Sequence, residues 1–153
     1  MNRWDMFERL FASFLAVLQP FIIYILYGDN SAISQSWSTP LQPMFIITNA
    51  LVSFFFFKLE KWRIPATLLL LLTAFPVCDY FVLHNIFAIL FFIFSGVSLW
   101  SIKRFRYYFF IFIFSAVLLF NGLFWAETWG IMVLVFYHIH LLVYRYLLES
   151  KRR

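Results

Sequence analysis

The chain has 153 residues, of which 64% are hydrophobic, 24% aromatic and only 12% charged, with a mean hydropathy of +0.86. One soluble domain cannot bury so much apolar surface, so the composition predicts an integral membrane protein and leaves no segment for a soluble catalytic domain. The net charge of +5 then gives no reason to expect a nucleic-acid partner. A single cysteine, Cys78, excludes an internal disulfide and a cysteine-rich zinc cluster.

Six apolar segments follow one another, separated by short polar connections. A helix needs about 20 residues to cross a bilayer. We therefore predict an all-α integral membrane protein with one domain over 1–153, a compact bundle of six transmembrane helices. The predicted spans are about 11–27, 43–57, 64–78, 85–102, 105–125 and 129–146. Pro20 lies inside the first span, where we expect it to kink the helix.

The positive charges predict the orientation of these spans. All twelve Lys and Arg residues fall on one side of the membrane in the six-span topology: two before the first span, three after the second, three after the fourth and four near the C-terminus. Loops rich in Lys and Arg stay in the cytoplasm, so both termini are predicted to be cytoplasmic. We expect the protein in the inner (cytoplasmic) membrane of a bacterium.

The opposite side is predicted to carry an acidic mouth. Its candidate ligand-binding residues lie at the ends of successive spans: Asp79, His84, Asn85, Asn121 and Glu127. Such a mouth attracts cations, amines or zwitterionic headgroups, and a His–Asp pair adds a group that exchanges protons near neutral pH. Asp79, His84 and Glu127 are accordingly the candidate catalytic residues. The alternative is that these side chains cap helix ends and face water.

Four further polar side chains are predicted near the middle of the bilayer, namely Gln19, Asn49, His138 and His140. Residues two apart on a helix point about 200° from one another, so His138 and His140 cannot bind one metal together. One imidazole is expected to face the core and bond to Asn49 or Gln19, the other to face a second helix or a partner. Packing contacts and a proton or ligand role both remain open for them, and we predict no metal or cofactor.

One short stretch resembles a known group of membrane proteins. The junction of the third and fourth helices is similar to that of small six-helix families, including damage-regulated autophagy modulators and their prokaryotic relatives. The residues that carry the resemblance are Phe75, Pro76, Asp79, His84, Ala88, Phe91 and Phe92. It implies a six-helix fold. Ala12 and Ala16 resemble the small-residue docking strip of substrate-capture subunits in energy-coupling-factor transporters, which are six-helix proteins with both termini inside.

Three functions are compatible with this sequence. The first is a membrane binding or accessory protein whose outer mouth recognises a lipid headgroup, a small ligand or a membrane-protein partner. The second is a small intramembrane enzyme that modifies lipids. The third is a transporter subunit or a pore formed by a homo-oligomer. The enzyme requires Asp79, His84 and Glu127 to surround one pocket.

Overall fold

The computed structural model describes residues 3–29 and 32–150, and this part of the chain is helical without any strand. The all-α prediction is therefore confirmed. The α-helices of the described ranges are α1 (Arg3–Tyr27), α2 (Gln42–Phe57), α3 (Arg63–Ala74), α4 (Phe81–Ser101), α5 (Tyr107–Leu118) and α6 (Leu123–Ser150). A short 3₁₀ helix, Ile33–Ser38, lies between α1 and α2 and is called the cap helix below.

Three segments of these helices are long and apolar enough to cross a membrane: Met6–Tyr27, Phe81–Ser101 and Leu123–Glu149. The segments Gln42–Phe57 and Tyr107–Asn121 are apolar but shorter. Many large apolar side chains point away from the protein interior, with Phe120 93% exposed. A surface this apolar is unusual for a protein in water and is compatible with a lipid environment.

The helices form a closed ring in chain order. Each helix packs mainly on the helices before and after it, and α1 also packs on α6, which closes the ring. The ring encloses a core of aromatic and aliphatic side chains that includes Trp62, Leu99 and Tyr137, each no more than 1% exposed.

Several helix boundaries differ from the predicted ones, and backbone chemistry explains two of them, the end of the third helix and the start of the sixth. The third helix ends at Ala74, because Phe75 precedes Pro76 and a residue before proline disfavours the helical conformation. The sixth helix begins at Leu123, directly after Gly122, whose φ of +123° is rarely adopted by other residues. His84 and Glu127, which were predicted to lie in connections, lie inside α4 and α6 instead.

The charged connections gather at opposite ends of the ring. At one end, Lys61 donates to the Ser101 carbonyl at 3.0 Å and Arg104 donates to the Tyr144 hydroxyl at 2.9 Å. At the other end, the Trp125 indole donates to Asp29 at 3.1 Å. Trp125 and Tyr144 are both on α6, and a rise of about 1.5 Å per residue separates them by roughly 28 Å.

Candidate functional site

A long crevice runs through the middle of the ring. Its walls come from α1, α2, α3, α4, α6 and the cap helix, and about 110 Å³ of it is wide enough for the centre of a water molecule. On α6 the lining residues extend from Glu127 to Arg145. These residues are 18 positions apart, which at about 1.5 Å per residue corresponds to roughly 27 Å, close to the hydrocarbon thickness of a bilayer.

Most of the crevice wall is apolar, and alanines on α1 provide much of its room. Ala12 and Ala16 are 3% and 6% exposed, and both line the crevice. Both alanines therefore face the inside of the ring. Their small side chains keep space open beside α2 and α6, with which α1 packs.

A few polar side chains interrupt this apolar wall near its middle. Gln19 and Thr48 are each 2% exposed, and His138, which stacks on Phe56 about two turns further along α2, also belongs to the lining. Within the described residues, Gln19 Nε2, Thr48 Oγ1 and His138 Nε2 are buried atoms that have no hydrogen-bond partner. Buried polar atoms in native proteins nearly always have a hydrogen-bond partner. Three such atoms without a partner, called orphaned atoms below, line this one crevice and call for an explanation.

The backbone of α1 adds a further acceptor at this level. Pro20 lies inside α1 and has no N–H, so the Ala16 carbonyl lacks the donor that a regular helix provides. Ala16 and Gln19 are both lining residues. The first helix therefore lacks one backbone hydrogen bond next to Gln19, the polar residue that the sequence predicts near the middle of the bilayer.

The contacts of His138 define what its free nitrogen offers. Its Nδ1 donates to the Leu134 carbonyl of the same helix at 2.8 Å, so in the neutral imidazole Nε2 is an acceptor. The ring stacks on Phe56 with centroids 4.4 Å apart and meets Trp62 edge-on at 5.0 Å. Gln19 supplies an N–H donor and Thr48 a hydroxyl, so the three orphans together offer both donors and an acceptor.

The acidic end of the crevice is closed by the cap helix. Glu127 Oε2 accepts from the Ile33 backbone N–H at 2.6 Å, and Oε1 accepts from the Ser34 hydroxyl at 3.3 Å. Ile33 and Ser34 are buried, and both line the crevice with Glu127. Because its two oxygens hold the cap helix, Glu127 connects the α1–α2 segment to α6 rather than standing open to solvent.

Arginines line the opposite, basic end. Arg9 on α1 is half-buried, with its guanidinium 5.8 Å from the centre of the Phe55 ring, and Arg145 on α6 is exposed. Both residues belong to the crevice lining. The acidic neighbours Glu8 and Glu149 do not line it.

The residues predicted for the outer mouth occupy different places. His84 is 2% exposed in the first turn of α4, and its Nδ1 lies 2.7 Å from the Phe75 carbonyl, a contact that joins the start of α4 to the end of α3. Asp79 is exposed in the connection between these helices, and Asn85 is half-buried on α4. Asn121 is exposed and shares a separate shallow groove with Asp29.

Only Glu127 among those residues lines the crevice. The structure therefore does not bring Asp79, His84 and Glu127 around this pocket, which is the arrangement that the enzyme hypothesis requires. Among the residues it describes, there is also no group of three or more His, Cys, Asp or Glu side chains placed to hold a metal ion.

Of the four polar residues predicted near the middle of the bilayer, three line the crevice and one faces α5. Gln19, Asn49 and His138 line the crevice together, although Asn49 donates to Thr73 at 3.0 Å and not to a histidine. His140 points elsewhere, with Nδ1 2.9 Å from the Tyr107 hydroxyl on α5. The two histidines thus face different helices, as their spacing predicts.

The cap helix and the missing hydrogen-bond partner of Thr48 were not predicted from the sequence. Thr48 precedes Asn49, so the sequence indicates its depth in the membrane. Nothing in the sequence indicates that its hydroxyl has no hydrogen-bond partner. The cap helix lies in a serine-rich connection without apolar periodicity. Comparison of the chain with protein-family models, with curated proteins and with solved structures gives no match.

Proposed function

We propose that this protein is a membrane-embedded binding protein that holds a single-chain amphiphile in the crevice of its helix ring. Three long apolar helices and an apolar outer surface support a location in the bilayer. The crevice is narrow and its lining extends over many turns of α6, which suits an extended chain better than a bulky ring system.

The observation that carries the proposal is the set of orphaned atoms on Gln19, Thr48 and His138. Leaving a buried polar group unpaired costs about 1–3 kcal/mol, and an apolar side chain of the same shape avoids that cost. A ligand with a hydrogen-bonding group would satisfy these atoms when it binds. Binding sites for small molecules have this character, with mostly apolar walls and a few polar groups that fix orientation.

The membrane arrangement is part of the same proposal. We propose that all six helices cross the bilayer, with the shorter α2, α3 and α5 held by their longer neighbours and by local thinning of the lipid. The basic end of the ring then faces the cytoplasm, as loops rich in Lys and Arg do. The cap helix and Glu127 lie at the opposite face, so the acidic mouth predicted from the sequence becomes the closed end of the crevice.

Substituting Thr48 by valine tests the proposal, because valine keeps the shape of threonine and removes its hydroxyl. The ligand-free variant is expected to gain about 1 kcal/mol in free energy of unfolding, since an unpaired buried group is lost. Binding of radiolabelled hexadecanol to the protein in nanodiscs is expected to weaken by about threefold to tenfold, because one hydrogen bond to the ligand hydroxyl is lost.

Ser53→Ala is the matched control. The Ser53 hydroxyl is also buried without a partner in the described structure, but Ser53 does not line the crevice. Its removal should leave hexadecanol binding unchanged. If Thr48→Val loses stability and binds hexadecanol as tightly as the parent protein, the hydroxyl has a structural role and the proposal is wrong.

A further inference from the structure

The orphaned atoms lie at two separate levels of the crevice, and their separation can be measured along α2. His138 stacks on Phe56 with ring centroids 4.4 Å apart, and Phe56 lies eight residues beyond Thr48. At about 1.5 Å per residue, eight residues correspond to roughly 12 Å. A hydrogen bond spans about 3 Å between its heavy atoms, so one small polar group cannot bond to Thr48 and His138 at once.

The packing of α1 on α6 gives the same separation for Gln19. Near the acidic end of the ring, Tyr24 of α1 packs on Trp125 of α6 with ring centroids 5.8 Å apart. From this contact towards the basic end, Gln19 lies five residues along α1, or roughly 7.5 Å, and His138 lies thirteen residues along α6, or roughly 20 Å. Gln19 and Thr48 therefore form one polar level, and His138 forms a second level nearer the basic end.

The two levels offer different hydrogen-bonding groups. Gln19 Nε2 is a donor and the Thr48 hydroxyl both donates and accepts, so together they suit a hydroxyl or carbonyl oxygen. His138 Nε2 can only accept, because its Nδ1–H donates to the Leu134 carbonyl at 2.8 Å. A partner for His138 must therefore bring a hydrogen of its own.

Two other orphaned atoms lie near His138 but outside the crevice. They are Trp62 Nε1 and the Tyr137 hydroxyl, on rings whose centroids are each 5.0 Å from that of His138. Neither Trp62 nor Tyr137 belongs to the crevice lining, whereas His138 does. A ligand in the crevice therefore meets the second level at His138.

Resting on the proposed function, we infer that the ligand is a chain with two hydrogen-bonding groups, one for each level. A hydroxyl or carbonyl bonds to Gln19 and Thr48, and a hydroxyl or N–H further along the chain donates to His138 Nε2. An extended chain advances about 1.2 Å per bond, so about ten bonds join the two groups. The lining between the levels is mostly apolar and includes Ala12, Ala16, Val52, Leu134 and Val135.

Matched pairs of alcohols and terminal diols test this inference. Each would compete with radiolabelled hexadecanol for the protein in nanodiscs, and each affinity would be corrected for partition into empty nanodiscs. Decane-1,10-diol should bind about threefold to tenfold more tightly than decanol, because its second hydroxyl adds one hydrogen bond. Hexane-1,6-diol is too short to reach both levels and should bind no more tightly than hexanol.

Variants assign each hydroxyl to its level. His138→Phe keeps a ring to stack on Phe56 and removes Nε2, so it should abolish the preference for decanediol over decanol and leave hexadecanol binding unchanged. Thr48→Val should weaken decanol and decanediol alike and keep the preference. His140→Phe is the matched control, because His140 contacts Tyr107 and does not line the crevice.

The outcomes separate this inference from the proposed function. Equal binding of decanediol and decanol by a protein that binds hexadecanol would overturn the inference and leave the proposed function standing. Failure of every probe to bind above empty nanodiscs would overturn both. A preference that persists in His138→Phe would show that the second group lies elsewhere. If His138→Phe does not fold, the parent protein decides, since an equal preference for hexanediol and decanediol would contradict a spacing of about ten bonds.

Discussion

Replacing Ala16 with phenylalanine is expected to reduce hexadecanol binding to the background of empty nanodiscs. Ala16 is 6% exposed and lines the crevice next to the level of Gln19. A phenyl ring at this position would obstruct the narrow crevice that the ligand chain needs. Overpacking of this kind costs about 1–3 kcal/mol, so the variant should still fold and its loss of binding can be measured.

The control places the same ring on the outside of the protein. Ala116 is exposed on α5, which contributes no residue to the crevice lining. Ala116→Phe should bind hexadecanol as the parent protein does. Unchanged binding by a folded Ala16→Phe variant would show that the probe lies elsewhere, for example on the lipid-facing surface.

Replacing Glu127 with alanine is expected to release the cap helix and to lower the free energy of unfolding by about 3 kcal/mol. The substitution leaves the buried Ile33 N–H and Ser34 hydroxyl without their acceptor. A buried donor left without its acceptor costs about 1–3 kcal/mol, and the longer bond of 3.3 Å to Ser34 adds less than the bond to Ile33.

Thiol labelling measures the release. In a Cys78→Ser background, which removes the exposed native thiol, Ala32→Cys places a reporter at a buried position just before the cap helix. The reporter should react slowly with a water-soluble maleimide when Glu127 is present and at least tenfold faster in Glu127→Ala.

Asp29→Ala controls for general loosening of the same end of the ring. Asp29 accepts from the Trp125 indole at 3.1 Å, whereas Ile33 and Ser34 donate to Glu127, so loss of Asp29 should leave labelling slow. Equal labelling rates with and without Glu127 would mean that other contacts hold the cap helix in place.

Helix content was predictable because it follows from local rules. Apolar segments separated by charged residues predict six helices. The rise per residue predicts one depth for Gln19, Asn49 and His138. In the structure all three line one crevice, but His138 packs on Trp62 in the basic connection, so a common depth is not shown. His138 and His140 were expected to point apart for the same local reason, and they do.

The contacts of the acidic mouth were not predictable in the same way. The sequence pattern predicts that polar residues mark helix ends. In the structure Pro76 ends α3 early, α4 already begins at Phe81 and α6 begins after Gly122, so His84 and Glu127 lie inside α4 and α6. Which side chains then meet depends on how the helices are arranged around the ring. That arrangement arises from packing between distant segments, and a single sequence has no local signal for it.

Photolabelling tests the central claim, that a ligand chain occupies the crevice, most directly. Hexadecanol with a diazirine at mid-chain would be bound to the protein in nanodiscs and irradiated, and the modified residues would be identified by peptide mass spectrometry. The account predicts labels on crevice residues such as Gln19, Val52 and Leu142, and their loss in Ala16→Phe. Labels confined to outward residues such as Ile25, Phe110 and Phe120 would contradict it.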